Sequence, residues 1–341
     1  MNAGAMDFDR EKIGVIGAGA MGVCLAAVLG QSVPVVIVAR SPERAEQLKR
    51  HGAVVCGLGN VQSRPLVVSD IASLARCGSF SAIFIATKTT SIDAVSESIR
   101  PLLGDLGGSY GAPFIVSFQN GIGPGLMLSR RLMHDRVLRM VLHYGARLTP
   151  SGAAQVIHTS VPHAIGGPDA THLWAAQTLG RMLTLGGMET IAVESIEPLA
   201  WKKGIINAAM NPVAALTDSS VGEVLDSPAR SIVVSLVTEG LAVAAAQVID
   251  LGPNAEADIW RVFESAREHT PSMVEDIRLG RLTEVGQLNR QVIEHAEGCG
   301  VAVPGHRMIA SLIDAFDWRV FRRSPRYTPS SNRGTEASHA Q

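Results

Sequence analysis

From Lys12 to Val193 short apolar runs alternate with helical patterns, and beyond them the apolar positions recur at helical spacing only. Lys12–Ile16 is a β-branched strand pattern that enters Gly17-Ala18-Gly19-Ala20-Met21-Gly22 and then an apolar helical stretch over 23–29. Residues 33–39, 82–86 and 114–118 read as further strands, the last two apolar throughout, as parallel strands covered on both faces are. Residues 54–68 read as a strand pair and 137–144 and 153–165 as strand regions. Leu173–Leu185 reads as a helix and Thr190–Val193 as a last short strand. Helices are expected over 198–216, 229–251, 255–268, 281–299 and 304–319, with Ser195 capping the first and Pro198 in its first turn. The pattern predicts an α/β protein. A Rossmann-type, doubly wound domain spans 11–193, an all-helical domain 194–322, and a polar tail over 323–341 reads as disordered.

Strand, GxGxxG, helix is the context in which glycines do nucleotide chemistry. Gly17 permits the tight turn, Gly19 lets backbone approach a pyrophosphate, and Gly22 lets the helix pack on the strand. The helix N-terminus then offers unpaired N–H groups to phosphate. At the end of the second strand, where an NAD site places Asp or Glu, stands Arg40, with Arg44 a turn later; both suit the 2′-phosphate of NADP(H). Lys88 and Asn120 follow the strands at 82–86 and 114–118, at the carboxyl edge where doubly wound sheets bind ligands.

In the helical half, PLAWKKGIINAAMNPVAAL (198–216) is apolar except where Lys203, Asn207 and Asn211 recur every fourth residue. Four residues turn a helix by about 400°, so these side chains share one slowly drifting line, and Lys202 falls outside it. Burying a lysine and two amides is costly without partners. The line therefore forms either a solvated stripe on a surface helix or the wall of a pocket.

Composition narrows the class. Lys+Arg at 30 against Asp+Glu at 31 leaves no basic excess for nucleic acid, and 46% hydrophobic residues supply ample core. Cys24, Cys56, Cys77 and Cys299 are scattered without a CxxC pair and read as reduced thiols, with no metal site. The N-terminal residues carry no signal-like apolar region. The most membrane-like run, 232–249, holds Glu239 and Gln247 and reads as a buried helix. A cytoplasmic protein without membrane or nucleic-acid partners is expected, and a homodimer is left open.

A second polar cluster holds His269, Ser272, Asp276, Thr283, Glu284 and Asn289. With it the chain resembles the ketopantoate reductases (2-dehydropantoate 2-reductases) over residues 13–309. The motifs are GAGAMG, Thr87-Lys88, QNGIG with Asn120, WKKGIINAAMNPVAAL, PSMVEDIRLGRLTE and GVAVP at 300–304. The resemblance implies a C-terminal domain like that of 6-phosphogluconate dehydrogenase, and NADPH-dependent reduction of 2-dehydropantoate to pantoate, in pantothenate biosynthesis. It implies Lys203 as proton donor and Glu284 as an active-site and cofactor residue. Gly17, Ala18, Gly19, Ala20, Met21, Gly22, Arg40, Lys88, Asn120 and Ala146 would contact cofactor, and Asn120, Lys203, Asn207, Asn211 and Ser272 the small 2-keto acid. The chain departs from the family pattern at Val221, His269 and Gly286, all on the substrate side. The alternatives are a paralogue acting on another 2-keto acid, and an NADP(H)-binding sensor without chemistry.

Overall fold

The apolar runs of the first half pair into one eight-stranded sheet of order β12-β11-β8-β7-β6-β1-β2-β5. Its strands are β1 (Lys12–Ile16), β2 (Val35–Val38), β5 (Leu66–Val68), β6 (Phe80–Ile85), β7 (Phe114–Ser117), β8 (Val137–Val141), β11 (His163–Gly166) and β12 (Thr190–Val193). All neighbours are parallel except β8 and β11. A small second sheet, of order β4-β3-β10-β9, joins β3 (Ala53–Gly57), β4 (Val61–Ser63), β9 (Tyr144–Leu148) and β10 (Ala154–Thr159). The computed structural model describes residues 11–108 and 111–321, so the tail expected over 323–341 lies outside the described residues.

The helix α1 (Ala20–Leu29) packs on β1 and β2 on one side and on β3, β4, β9 and β10 on the other. Enclosure on both sides is why its sequence carries no polar face: every residue from Gly22 to Leu29 is buried. The opposite face of the main sheet is covered by a second core with Ile92, Val95 and Ile99 of α3 (Ile92–Ile99) and Leu128 and Leu132 of α4 (Pro124–Leu132). Two further helices, α2 (Pro42–His51) and α5 (Leu173–Leu185), complete this half.

Two strand readings are corrected. Residues 54–68 form three strands rather than a pair: β3 and β4 are antiparallel, while β5 joins the edge of the main sheet beside β2. The 137–144 region ends at Val141, and Tyr144 opens β9 in the small sheet. Pro162 separates β10 from β11 within 153–165, since proline cannot donate to a ladder.

By compactness the chain divides into two units, one of residues up to Gln119 with Pro124–Ile196, the other of Asn120–Gly123 with residues from Glu197 on. The second is helical: α6 (Glu197–Thr217), α7 (Val221–Asp226), α8 (Arg230–Ala246), α9 (Ala255–Ser265), α10 (Ser272–Arg278), α11 (Asn289–Cys299) and α12 (Pro304–Phe321). Helix α6 is its axis and packs against all six of the others. Trp201, Ile205, Ala208, Ala209, Met210 and Val213 are buried in its core. Ile196, not Ser195, directly precedes α6, and Pro198 stands in its first turn as expected.

The helix expected over 281–299 begins only at Asn289, and α10 is a helix the sequence reading left out. The chain turns between them because the Thr283 hydroxyl donates to Asp317 on α12 at 2.8 Å, and both residues are buried. A buried hydroxyl held from another helix outweighs the local helical pattern. Glu239, the charge inside the membrane-like run, accepts the backbone N–H groups of Gly305 and His306 at 2.8 and 2.9 Å and so caps α12. Among the described residues no helix is long and apolar enough to cross a membrane.

Candidate active site

The glycine loop sits where the sheet order reverses, since β1 pairs with β2 on one side and β6 on the other. Gly17 has φ of 115°, and a side chain there would meet the Ala86 carbonyl 2.7 Å away. Gly19 is the N-cap of α1, has no side-chain cap, and faces no atom within 4 Å of where a Cβ would stand. No acidic residue occupies the first turn of α1. Unpaired N–H groups at an open, uncapped helix start fit the diphosphate of a dinucleotide. Ala18, Ala20 and Met21 are half-buried around it, and Gly22 packs against the Gly17 carbonyl.

Arg40 is exposed just past the carboxyl end of β2. Arg44 is placed differently from the sequence expectation. Its Nε donates to the Ala18 carbonyl at 2.8 Å, one terminal nitrogen to Gly152 O at 2.7 Å, and the other to Gln47 at 2.8 Å. It clamps the glycine loop to the turn between β9 and β10. Burial holds the Arg44 guanidinium pKa below its ordinary value. Lys88 is exposed after β6, where the Gln119 amide fixes the Thr87 carbonyl at 2.9 Å. Ala146 lies half-buried on β9 opposite Val156.

In the helical unit, Lys203 and Asn207 are half-buried and Asn211 is buried along α6. Helix α6 packs against the other helices of the unit, so the line is partly enclosed, most deeply at Asn211. Lys202 points elsewhere and pairs with Asp258 of α9 at 2.7 Å, which holds that carboxyl below its ordinary range, chiefly by the hydrogen bond. The segment 120–123 is wedged into the same unit. Gly121, at φ of 113°, lies against the Gln287 backbone, and Ile122 packs where Gly204 of α6 has no side chain. Asn120 is thereby brought to Glu284, its amide nitrogen donating to the carboxylate at 3.2 Å. These residues are 164 positions apart.

Ser272 is the exposed first residue of α10, which packs on α6. Val221 and His269, two of the three departures, meet: the Val221 N–H donates to the His269 carbonyl at 3.0 Å. The contact is through backbone: the Val221 side chain is buried in the helical core, while His269 is exposed. The sequence reading missed the Arg44 clamp and the buried contact of Asn289 with α6; the polar cluster containing Asn289 was the available signal for the second.

Glycine loops of this kind bind dinucleotides, and a lysine among amides on a central helix suits a carbonyl that gains charge as it is reduced; the class is a nicotinamide-dependent oxidoreductase. More narrowly, the chain belongs to the ketopantoate reductase family. Residues 13–166 match Ketopantoate reductase PanE/ApbA and 195–317 its C-terminal domain. It is 26% identical over 306 residues to the 2-dehydropantoate 2-reductase of Archaeoglobus fulgidus, covering 89% of this chain and 97% of that protein. Among solved structures, a PanE/ApbA family ketopantoate reductase from Ralstonia eutropha JMP134 superposes with a TM-score of 0.79 at 20% identity, covering 91% of this chain and 99% of the other. A D-mandelate dehydrogenase with NADH and anilino(oxo)acetate superposes with a TM-score of 0.78 at 23% identity, over the same shares.

Proposed function

We propose that the protein reduces a 2-keto acid with NADPH, 2-dehydropantoate to pantoate, using the 11–193 domain for the cofactor and the 194–322 domain for substrate and proton transfer. The observation that carries this is the line Lys203, Asn207, Asn211 on a partly enclosed helix, with the neighbouring Lys202 tied off at Asp258. When bound, the nicotinamide supplies the hydride that reaches the keto carbon. The Lys203 ammonium hydrogen-bonds the keto oxygen, stabilises the charge that builds there, and gives it the proton that completes the 2-hydroxy acid. Asn207 and Asn211 orient the acid beneath it, and Ser272 offers a further hydroxyl. Glu284, steadied by Asn120, would contact the cofactor and serve the active site, as the family resemblance implies. Arg40 selects the 2′-phosphate, and Lys88, Asn120 and Ala146 complete the cofactor contacts. The protein acts in the cytoplasm, in pantothenate biosynthesis.

The departures at Val221 and His269, joined by one backbone hydrogen bond, support one second reading, a paralogue for a different branched or larger 2-keto acid. The shared fold with a D-mandelate dehydrogenase supports this second reading. NADPH oxidation across a panel from ketopantoate to aryl 2-keto acids tests both. Highest kcat/KM on ketopantoate supports the first reading, a preference for an aryl acid supports the second, and no turnover with any of them overturns both in favour of an NADP(H) sensor.

A further inference from the structure

Helix α6 runs through Pro212. Proline has no N–H, so the carbonyl four residues earlier, that of Ala208, loses the donor the helix would give it. Ala208 is fully buried, so water cannot replace that donor. The donor comes instead from Asn289, whose amide nitrogen lies 2.8 Å from Ala208 O. The same nitrogen lies 3.1 Å from His306 Nδ1, and His306 Nε2 lies 3.0 Å from the Leu236 carbonyl.

The hydrogen positions in this chain follow from its ends. Leu236 O can only accept, so Nε2 carries the proton and Nδ1 is left to accept. The Asn289 side chain must then turn its nitrogen, not its oxygen, toward both Nδ1 and Ala208 O. The amide has one orientation, and His306 is neutral. His306 is itself fixed by Glu239, which binds its backbone N–H and that of Gly305. Both Asn289 and His306 are fully buried. Ala208 directly follows Asn207, and Pro212 directly follows Asn211. The unsupported step of the helix thus falls between the half that carries Lys203 and Asn207 and the turn that carries Asn211.

We propose that Asn289, held by His306, is a positioning residue for the reaction: it supplies the hydrogen bond that Pro212 removes and so sets the pitch between Lys203 and Asn207 on one side and Asn211 on the other. The inference rests on the reading of that line as the substrate line. Without the Asn289 donor the helix opens at the Ala208–Pro212 step, and the two halves no longer address one substrate. The cofactor loop lies in the other unit and keeps its geometry.

The test is a cycle of Asn289→Leu, Pro212→Ala and the double variant, assayed well below each melting midpoint. Asn289→Leu should lower kcat/KM for the keto acid about tenfold, mainly through KM, with NADPH affinity unchanged. Pro212→Ala returns an N–H to Ala208 O, so the double variant should recover most of that loss. Equal losses in single and double variants, no loss in Asn289→Leu, or an equal loss of NADPH affinity would overturn the proposal. Should Asn289→Leu fail to fold, His306→Gln carries the test, with a smaller loss of the same kind that Pro212→Ala again repairs. Amide exchange over 205–211 reads the joint without substrate: protection falls in Asn289→Leu and returns in the double variant. If the wild type reduces no 2-keto acid while exchange behaves this way, the functional reading fails and the joint stands; unchanged exchange overturns the joint itself.

Discussion

Lys202 and Lys203 are sequence neighbours that leave α6 about 100° apart. The first is held by Asp258, and the second shares a line with Asn207 and Asn211. Lys203→Ala should therefore lower kcat/KM by at least about a hundredfold, the loss of a general acid, while Lys202→Ala stays within a few-fold. The reverse order would show the helical phase to be misread. The two arginines after β2 separate in the same way. Arg40→Asp should erode or reverse a preference for NADPH over NADH. Arg44→Met should weaken both cofactors alike, because Arg44 supports the Ala18 backbone. Measured kcat/KM with each cofactor decides it: a selective effect of Arg44→Met would return the 2′-phosphate to that residue. The glycine loop was legible because turn, helix start and strand are local in sequence. The Arg44 clamp was not, since its Gly152 partner lies 108 residues away.

Among the elements, strands bounded by turns and long apolar helices could be read directly; Leu173–Leu185 and Thr190–Val193 fall where the pattern puts them. The stretch 281–288 misled because its helical periodicity is real, yet Thr283 is captured by Asp317. Short α7 and α10 carry too few turns for a periodic signal. The capping box of Ser220 and Glu223 was a usable sign of α7. The α6–α11–α12 junction carries its own pH dependence. Burial holds the His306 pKa below its ordinary 6.5, with the Leu236 hydrogen bond and Glu239 opposing it less strongly. As pH falls below about 6.5 the unfolded chain takes up the proton first, so stability is complete above that pH and is lost below it. The slope is at most about 1.4 kcal/mol per pH unit. Urea midpoints for wild type and His306→Gln should converge toward acid pH; parallel curves would remove His306 as the cause.

On the scale of the whole molecule, the change from alternating strands and helices to helices alone is visible in the sequence, and so is the α/β class. What no local pattern announces is that Asn120–Gly123 folds with the helical unit, because QNGIG reads as an ordinary loop after a strand. Two compact units need not melt together. NADPH at a hundred times its Kd should add about 2.7 kcal/mol to the unit that binds it, seen in calorimetry as a shifted transition. A larger shift with NADH than with NADPH at matched concentrations would count against Arg40 as the selecting residue. The borrowed segment also bears on how such a protein can be recombined. A chain begun at Glu197 would lack Ile122, a buried member of its core, and would present a bare notch beside Gly204. The helical half is thus not a cassette: any exchange between relatives must carry the turn after β7 with the helix of Lys203.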